Sequence, residues 1–278
     1  MNPTNSQQRT AFFLSDGTGI TAETLGHSLL TQFENLNFEK ITVPYVDTLA
    51  KAEGVVARVN QAAEQDGNKP LIFATFANQE IRQVIADSKG LLLDFFNTFL
   101  NPLEAELGVS SSHNIGRMHG LVDYNAYMAR MNAVNYTLIH DDGVSTQNYD
   151  EADLILVGVS RCGKTPTCLY LALQFGIFTA NYPFTEEDMD MLELPHFLQK
   201  HRHKIFGLTI EPQRLHSIRE ERRPNSRYAS LAQCQLEINK IEKLFQQEQI
   251  HYLSTTTRSI EEIATSVLAT TGVKRRIG

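Results

Sequence analysis

Residues 153–166 have the sequence Asp-Leu-Ile-Leu-Val-Gly-Val-Ser-Arg-Cys-Gly-Lys-Thr-Pro. The apolar run 154–157 is typical of a fully buried strand. It leads into Gly158, four further residues and a Gly-Lys-Thr triplet, which is the spacing of the phosphate-binding P-loop, G-x-x-x-x-G-K-[ST]. Glycines let the backbone of such a loop wrap closely, so that successive N–H groups point at phosphate oxygens. We therefore predict a phosphate site at residues 158–165.

Two side chains of this pattern have separate roles beside a bound nucleotide. Lys164, expected to be an exposed loop lysine, supplies a mobile positive charge for the terminal phosphates, and the Thr165 hydroxyl is suited to ligate Mg²⁺. The alternative is a chance match in a glycine-bearing turn. It is weakened by Pro166, which falls in a first helical turn where its missing N–H is harmless. The predicted phosphate-binding residues are Gly158, Val159, Ser160, Arg161, Cys162, Gly163, Lys164 and Thr165.

The composition of the 278-residue chain is that of a globular protein, with 42% apolar and 21% charged residues. A net charge of −7 argues against a nucleic-acid-binding protein, whose surface is basic. No apolar run approaches the roughly 18 residues of a membrane span. The polar first nine residues do not form a signal peptide, and three cysteines are too few for a disulfide framework, so we expect a cytoplasmic protein. Cys162, inside the loop, is either redox-sensitive or a small residue that fits.

The N-terminal part of the chain alternates strands and helices, which predicts an α/β domain with a mostly parallel sheet. This first domain is expected to cover residues 1–109. Residues 110–135 begin with little periodic pattern and are expected to connect it to a second domain. Four strands are predicted in the first domain, over residues 10–14, 41–46, 70–75 and 90–94, each followed by a helix.

Residues 136–278 are predicted to form a P-loop kinase-like α/β domain. After a short helix over 127–134, we expect a strand over 136–139, just before the strand that enters the P-loop. Ser-Ile-Glu-Glu at 259–262 has the pattern of a capping box and begins the last helix. Further strands are predicted over 178–182, 204–210 and 252–256. Further helices are predicted after the P-loop, with Pro166 in the first turn and Gly176 at the end, and over 212–222 and 231–247.

Two aspartates, Asp141 and Asp142, follow the predicted strand 136–139. Ligands of open parallel sheets lie beyond the carboxyl ends of the strands. A phosphoryl-transfer site needs a carboxylate there, either to hold Mg²⁺ or to accept a hydroxyl proton, and His140 could share that duty. The alternative is a solvated corner, because Asp-Asp-Gly is also a common turn sequence.

Three other segments are candidates for related chemistry. Asp188 and Asp190 follow a predicted strand end and could bind a metal, although acidic residues are equally usual in the first turn of a helix. Asp16 lies in an Asp-Gly-Thr-Gly sequence, which is either an anion site at a helix N-terminus or a tight turn. The arginine-rich segment 219–228 would clamp a transferring phosphate or form a charged helix face.

Six segments carry a resemblance to a known family. They are Gly-Val-Ser-Arg-Cys-Gly-Lys-Thr-Pro-Thr-Cys-Leu-Tyr-Leu-Ala (158–172), Leu-Ser-Asp-Gly-Thr-Gly-Ile-Thr-Ala-Glu (14–23), His-Asp-Asp-Gly (140–143), Ala-Asn-Tyr-Pro-Phe (180–184), Arg-Glu-Glu-Arg-Arg-Pro-Asn-Ser-Arg-Tyr-Ala-Ser (219–230) and Ser-Ile-Glu-Glu-Ile-Ala-Thr (259–265). Together they resemble the bacterial phosphoenolpyruvate synthase regulatory proteins, which are relatives of the regulators of pyruvate, phosphate dikinase. The resemblance covers essentially the whole chain, and the synthase branch looks closer.

The resemblance implies a bifunctional regulator. In one direction, such proteins transfer a phosphate from ADP to a threonine of the target enzyme and switch it off. That threonine lies close to the target's catalytic histidine, which must itself be phosphorylated. In the other direction, inorganic phosphate attacks the phosphothreonine and releases pyrophosphate. The implied ligands are ADP, inorganic phosphate and Mg²⁺, and the implied partner is phosphoenolpyruvate synthase.

The resemblance also implies roles for individual residues. The 158–165 loop with Lys164 would hold the phosphates, and Thr165 would bind Mg²⁺. Asp141 or Asp142 would be the base, and the resemblance leaves open which of them it is and whether His140 shares the work.

Other readings stay open at this stage. A P-loop kinase of a small metabolite and a non-catalytic nucleotide-dependent binding module are the alternative functions, and a monomer and a homodimer are both compatible with the residues. The segments 219–227 and 254–258 are candidates for a wall that excludes a third phosphate.

Overall fold

A computed structural model describes residues 8–111 and 124–277 of the chain. The chain divides into two compact units, Met1–Val122 and Asp123–Gly278. The described part of each unit contains one four-stranded sheet in which every pair of neighbouring strands is parallel. The predicted α/β fold class is therefore confirmed.

The first unit has three layers, with helices on both faces of a sheet of strand order β2-β1-β3-β4. Side chains of a strand alternate between its faces. Phe12 and Leu14 accordingly pack with α2 and α3 on one face, whereas Ala11 and Phe13 pack with α1 and α4 on the other. The elements are β1 (Gln8–Ser15), α1 (Ile20–Leu30), β2 (Asn37–Val43), α2 (Leu49–Asp66), β3 (Leu71–Thr75), α3 (Gln79–Ala86), β4 (Leu91–Asp94) and α4 (Phe95–Leu107).

Strand β2 begins and ends earlier than the predicted strand 41–46. Its register pairs Asn37 with Gln8 and Val43 with Leu14, so the strand follows the full length of β1. Pro44 comes next and cannot donate to a ladder. Three of the first four residues of this edge strand are polar and exposed, and the apolar pattern therefore did not reveal where the strand starts.

Helix α1 approaches the sheet closely because Gly26 faces two phenylalanines. A Cβ added at Gly26 would lie 2.5 Å from Cε1 of Phe13 and 2.8 Å from Cγ of Phe73. The rings of Phe13 and Phe73 are themselves stacked, with centroids 5.7 Å apart, and have little room to move.

We predict that Gly26→Ala lowers the free energy of unfolding by about 1–3 kcal/mol, the usual effect of overpacking a core. Gly54→Ala is the matched control, because Gly54 lies inside helix α2 and a Cβ there would meet nothing within 4 Å. The control should stabilise the protein by about 0.5–1 kcal/mol through helix propensity. Urea unfolding followed by circular dichroism measures both, and equal effects of the two substitutions would contradict the packing shown for α1.

The second unit has the strand order β6-β5-β7-β8, with β5 and β7 in the centre of the sheet. All five residues of each central strand are buried, and helices α6, α10 and α11 contribute to the same core. The elements are α5 (Tyr124–Ile139), β5 (Leu154–Gly158), α6 (Lys164–Phe175), β6 (Thr179–Pro183), α7 (Glu186–Met191), α8 (His196–Gln199), β7 (Ile205–Thr209), α9 (Pro212–Arg222), α10 (Leu231–Gln247), β8 (Tyr252–Ser254) and α11 (Ile260–Thr271).

The predicted strand over 136–139 is wrong, because these residues are the last turn of helix α5. Tyr-Thr-Leu-Ile favours a strand when taken alone. In the folded chain Ala133, Tyr136 and Thr137 are the buried residues of the helix, at helical spacing, whereas Leu138 and Ile139 are exposed. Packing of one helical face therefore overrides local propensity.

Helix α5 overlaps the segment 110–135, which the sequence suggested as a connection between the domains. Residues 112–123 of that connection lie outside the described residues. Residues 110 and 111 lie outside any helix or strand, and residues 124–135 form most of α5.

Several predictions in the second unit are confirmed. Helices α9 and α10 have the predicted bounds, α6 ends at Gly176 with a left-handed φ of 67°, and Ser259 and Glu262 form the capping box of α11. No helix in either described range is long and apolar enough to cross a membrane.

Candidate active site

The 158–165 loop joins the central strand β5 to helix α6. Gly158 cannot carry a side chain, because a Cβ there would lie 2.3 Å from the carbonyl oxygen of Leu208. Gly163 has a φ of 95° and is the N-cap of α6, where no side chain caps the helix. The uncapped N-terminus of a helix at the carboxyl end of a buried parallel strand favours a bound anion.

Three side chains hold three carbonyl groups of this loop. Lys164 Nζ donates to the oxygen of Val159 at 2.9 Å, and Thr255 Oγ1 donates to the oxygen of Cys162 at 3.1 Å. The oxygen of Ser160 accepts from Arg219 Nη2 at 3.1 Å. These three contacts anchor the loop through its carbonyls.

The anchored carbonyls determine where the loop's N–H groups point. In a trans peptide the N–H is opposite to the C=O, so the N–H groups of Ser160, Arg161 and Gly163 point away from Lys164, Arg219 and Thr255. Within the described part of the chain, none of these three N–H groups donates a hydrogen bond. They form a set of donors without acceptors, as an anion-binding loop requires.

A cleft of about 230 Å³ opens beside the loop. This volume is below the roughly 300–1,000 Å³ of a typical ligand pocket and is suited to phosphate groups rather than to a whole nucleotide. The cleft joins the loop to the turn at 140–143. It is lined by Asp142, Ser160, Arg161, Gly163, Lys164, Thr165, Pro166 and Ile218.

Lys164 is not the exposed loop lysine that the sequence suggested. It is 4% exposed, because its side chain folds back over the loop to reach the oxygen of Val159. The ammonium group already lies where it supports the loop, and its removal would affect the local structure as well as the charge.

Asp141 connects the turn to two other elements. One of its carboxylate oxygens, Oδ1, accepts a hydrogen bond from Thr165 Oγ1 at 2.7 Å and another from Asn181 Nδ2. The hydroxyl and the carboxylate that the sequence named as separate candidates are therefore in direct contact. They meet although Asp141 follows a helix, because the end of α5 packs beside β6 and α6.

Asp142 differs from Asp141 in its backbone conformation, its exposure and its hydrogen bonds. Its backbone is left-handed, with a φ of 48° and a ψ of 31°, and its amide donates to Asn181 Oδ1 at 3.0 Å. The side chain is exposed and lines the cleft. In the ranges 8–111 and 124–277, no hydrogen bond or ion pair engages its carboxylate, which is thus free to accept a proton.

His140 lies behind the turn rather than in the cleft. The ring is 3% exposed, and its two nitrogens lie 2.7 Å from the oxygen of Tyr136 and 2.8 Å from the oxygen of Gln147. It also stacks on the ring of Tyr136, with centroids 4.0 Å apart. The structure therefore places His140 as an anchor of the turn.

Arg219 is a buried support of the loop, although it lies in the arginine-rich segment. Its guanidinium donates to Glu237 Oε2 at 2.7 Å and to the oxygen of Tyr228 at 3.0 Å, besides its bond to Ser160. The side chain is fully buried and stacks over the ring of Tyr228 at 4.1 Å. Arg227 of the same segment is 78% exposed and lies 3.6 Å from Glu186.

The other candidate carboxylates have structural partners. Asp188 forms the capping box of α7 with Thr185 and accepts from Tyr182, and Asp190 pairs with Lys240. In the first unit, Asp16 accepts the N–H groups of two residues that precede α3. No group of three or more His, Cys, Asp and Glu residues that could hold a metal occurs in the part of the chain that the structure describes.

Burial raises the pKa of the Cys162 thiol. The residue is 1% exposed and remains a thiol at neutral pH, where thiolate is the form that reacts. Of the two interpretations of Cys162, the structure favours a small residue that fits.

Comparison with known proteins shows the family. A family model described as Kinase/pyrophosphorylase matches residues 11–268. The chain belongs to the kinase/pyrophosphorylase family.

Relatives of this chain cover nearly its whole length. A Pseudomonas aeruginosa protein is 58% identical over 269 residues, covering 97% of this chain and 98% of its own. A Pseudomonas fluorescens protein is 57% identical with coverage of 97% and 99%, and a Marinobacter nauticus protein is 57% identical with coverage of 96% and 99%. All three are named phosphoenolpyruvate synthase regulatory proteins, and each name marks that assignment as provisional. The family resemblance found in the sequence is confirmed.

We predict that Arg219→Met lowers the free energy of unfolding by about 3–5 kcal/mol, because the buried carboxylate of Glu237 loses its charged partner and keeps only the hydrogen bond from Gln233. The double substitution Arg219→Met with Glu237→Met should cost clearly less than the sum of the two single ones. Arg227→Met is the control and should change stability by less than about 1 kcal/mol, since its ion pair is exposed. Urea unfolding measures all four variants, and an Arg219 variant as stable as the Arg227 variant would contradict the supporting role.

Proposed function

We propose that this chain is a bifunctional regulator of phosphoenolpyruvate synthase. It would phosphorylate a threonine of the synthase with ADP as the donor, and it would remove that phosphate by transferring it to inorganic phosphate, with release of pyrophosphate. The family and the names of the relatives support a phosphoryl-transferring regulator. The observation that carries the proposal is that the unengaged N–H groups of the loop and the free carboxylate of Asp142 belong to one cleft.

The loop would serve both directions of the reaction. The N–H groups of Ser160, Arg161 and Gly163 would hold the β-phosphate of ADP in one direction and inorganic phosphate in the other. Lys164 would exchange the oxygen of Val159 for a phosphate oxygen when the ligand arrives. Arg161 also lines the cleft, and its guanidinium would bring a second cation to the same anion.

The residues present fit a magnesium ion. Mg²⁺ prefers oxygen ligands and is commonly held by one or two protein groups together with phosphates. The Thr165 hydroxyl and the Asp141 carboxylate provide two such oxygens 2.7 Å apart beside the loop. Bound there, Mg²⁺ would neutralise charge on the transferring phosphoryl group. We therefore assign Thr165 and Asp141 as ligands of the metal.

Asp142 is then the base. Its carboxylate would take the proton of the threonine hydroxyl while the threonine oxygen forms a bond to the β-phosphorus and the bond from that phosphorus to AMP breaks. In the other direction, an oxygen of inorganic phosphate forms the new bond to phosphorus, and the bond to the threonine oxygen breaks. Asp142 would then relay the proton of the phosphate to the departing threonine oxygen, which leaves threonine and pyrophosphate.

The position of the base favours a protein substrate over a small metabolite. A metabolite kinase encloses its substrate, whereas a threonine on a protein has to reach the base from outside. Asp142 is exposed, and Val144, two residues further on, is 85% exposed. The base therefore stands at an accessible surface of the unit.

The proposal predicts different effects for the two aspartates. Asp142→Asn should lower phosphoryl transfer in both directions by roughly 100-fold or more, with ADP binding unchanged, because only the base is lost. Asp141→Asn should instead raise the Mg²⁺ concentration needed for half-maximal rate. Glu187→Gln, an exposed carboxylate on the same unit, is the control and should behave as the wild type. An Asp142→Asn variant with normal turnover would remove this residue from the mechanism.

The direct test uses purified, histidine-phosphorylated phosphoenolpyruvate synthase with ADP and Mg²⁺. Mass spectrometry should find one phosphothreonine on the synthase, and added inorganic phosphate should remove it with formation of pyrophosphate. Lys164→Met, which keeps the length of the side chain, should lose both reactions. Nucleotide binding without any transfer would indicate a binding module, and transfer to a small molecule alone would indicate a metabolite kinase.

A further inference from the structure

Asn181 contacts each of the residues 140–142 in turn. Its side-chain Nδ2 donates to Asp141 Oδ1, its Oδ1 accepts the N–H of Asp142 at 3.0 Å, and its own N–H donates to the oxygen of His140 at 3.1 Å. Asn181 is fully buried in the edge strand β6. A buried amide must find partners for its polar atoms, and here the active-site turn provides them.

The orientation of this amide follows from its partners. An ionised carboxylate only accepts hydrogen bonds and a backbone N–H only donates them. The NH₂ group of Asn181 must therefore face Asp141, and its oxygen must face the amide of Asp142. Neither a carboxylate nor an apolar side chain of the same size offers both a donor and an acceptor.

Two successive residues of the turn have left-handed backbone. Asp142 has a φ of 48° and a ψ of 31°, a conformation that few residue types other than glycine, asparagine and aspartate adopt. Gly143 follows with a φ of 70°, and a Cβ there would lie 2.9 Å from Cδ2 of Tyr182. Strand β6 thus shapes the turn through two neighbouring residues, by hydrogen bonds from Asn181 and by close packing on Tyr182.

We propose that Asn181 is a positioning residue that gives the two aspartates their separate tasks. Its NH₂ group keeps the carboxylate of Asp141 turned towards Thr165. Its oxygen holds the backbone of Asp142 in the left-handed conformation from which the side chain enters the cleft. The tasks of the two aspartates rest on the proposed function. The contacts that hold the turn are independent of any activity.

Two substitutions separate the contacts. Asn181→Asp keeps the size and the acceptor for the amide of Asp142, but it replaces the donor to Asp141 by a like charge. Asn181→Leu keeps the size and removes both contacts. Thr179→Val is the matched control, because Thr179 is also fully buried on β6 and its hydroxyl bonds only to the oxygen of Ile177 within the described chain.

Both Asn181 variants should lower kcat by about 10–100-fold, the usual effect of removing a partner that orients a ligand or catalytic group. The KM for ADP should stay within about twofold of the wild type, since the loop is untouched, and Thr179→Val should change neither. A merely structural residue would lower thermal stability without this separation of kcat from KM. Wild-type kcat in both Asn181 variants would overturn the proposal.

Hydrogen exchange at the amide of Asp142 is a second test, and it does not depend on activity. The amide of Asp142 should exchange at least tenfold faster in Asn181→Leu than in the wild type and at the wild-type rate in Asn181→Asp. Unchanged exchange in a folded Asn181→Leu variant would show that Asn181 does not hold the turn. If Asn181→Leu fails to fold, Asn181→Asp decides through kcat. If the wild type itself transfers no phosphate, the proposed function fails, and the exchange result still decides whether Asn181 holds the turn.

Discussion

Three side chains anchor carbonyl oxygens of the 158–165 loop and thereby determine the direction of its N–H groups. A glycine-rich loop can take many conformations, and only one of them directs its N–H groups to a common point. The oxygens of Val159, Ser160 and Cys162 are held by side chains from three separate places: the start of α6, the last turn of α9 and the segment after β8. The order of the strands and helices brings these places together, and the loop acquires its conformation from them.

The opposite side of the cleft depends on a second set of contacts, those of the turn at 140–143. Edge strand β6 lies beside the end of α5, and one buried asparagine binds the turn through its side chain and its backbone. Two adjacent aspartates with the same chemistry thereby receive different surroundings. Asp141 meets the Thr165 hydroxyl, and Asp142 is left free in the cleft. Environment, rather than residue type, separates the proposed metal ligand from the proposed base.

Features with a local signal could be predicted from the sequence. The loop follows from the spacing of its glycines and lysine, and the bounds of α9, α10 and the capping box of α11 follow from caps and periodicity. The partners of the loop had no such signal: Arg219 bonds to a residue 59 positions away, and Thr255 to one 93 positions away. The prediction of a strand over 136–139 failed for the same reason, because contacts with distant elements stabilise a helix there.

We propose that one cleft holds the β-phosphate of ADP and passes it to a protein threonine. A radiolabel in the β position of ADP, with histidine-phosphorylated synthase as the acceptor, follows that phosphate directly. We expect the label to reach a threonine of the synthase and AMP to be released in equal amount. Label in the γ position of ATP should stay on the nucleotide when no ADP is present. Efficient transfer of the γ label under those conditions would rule out the ADP-dependent reaction and indicate an ATP-dependent kinase.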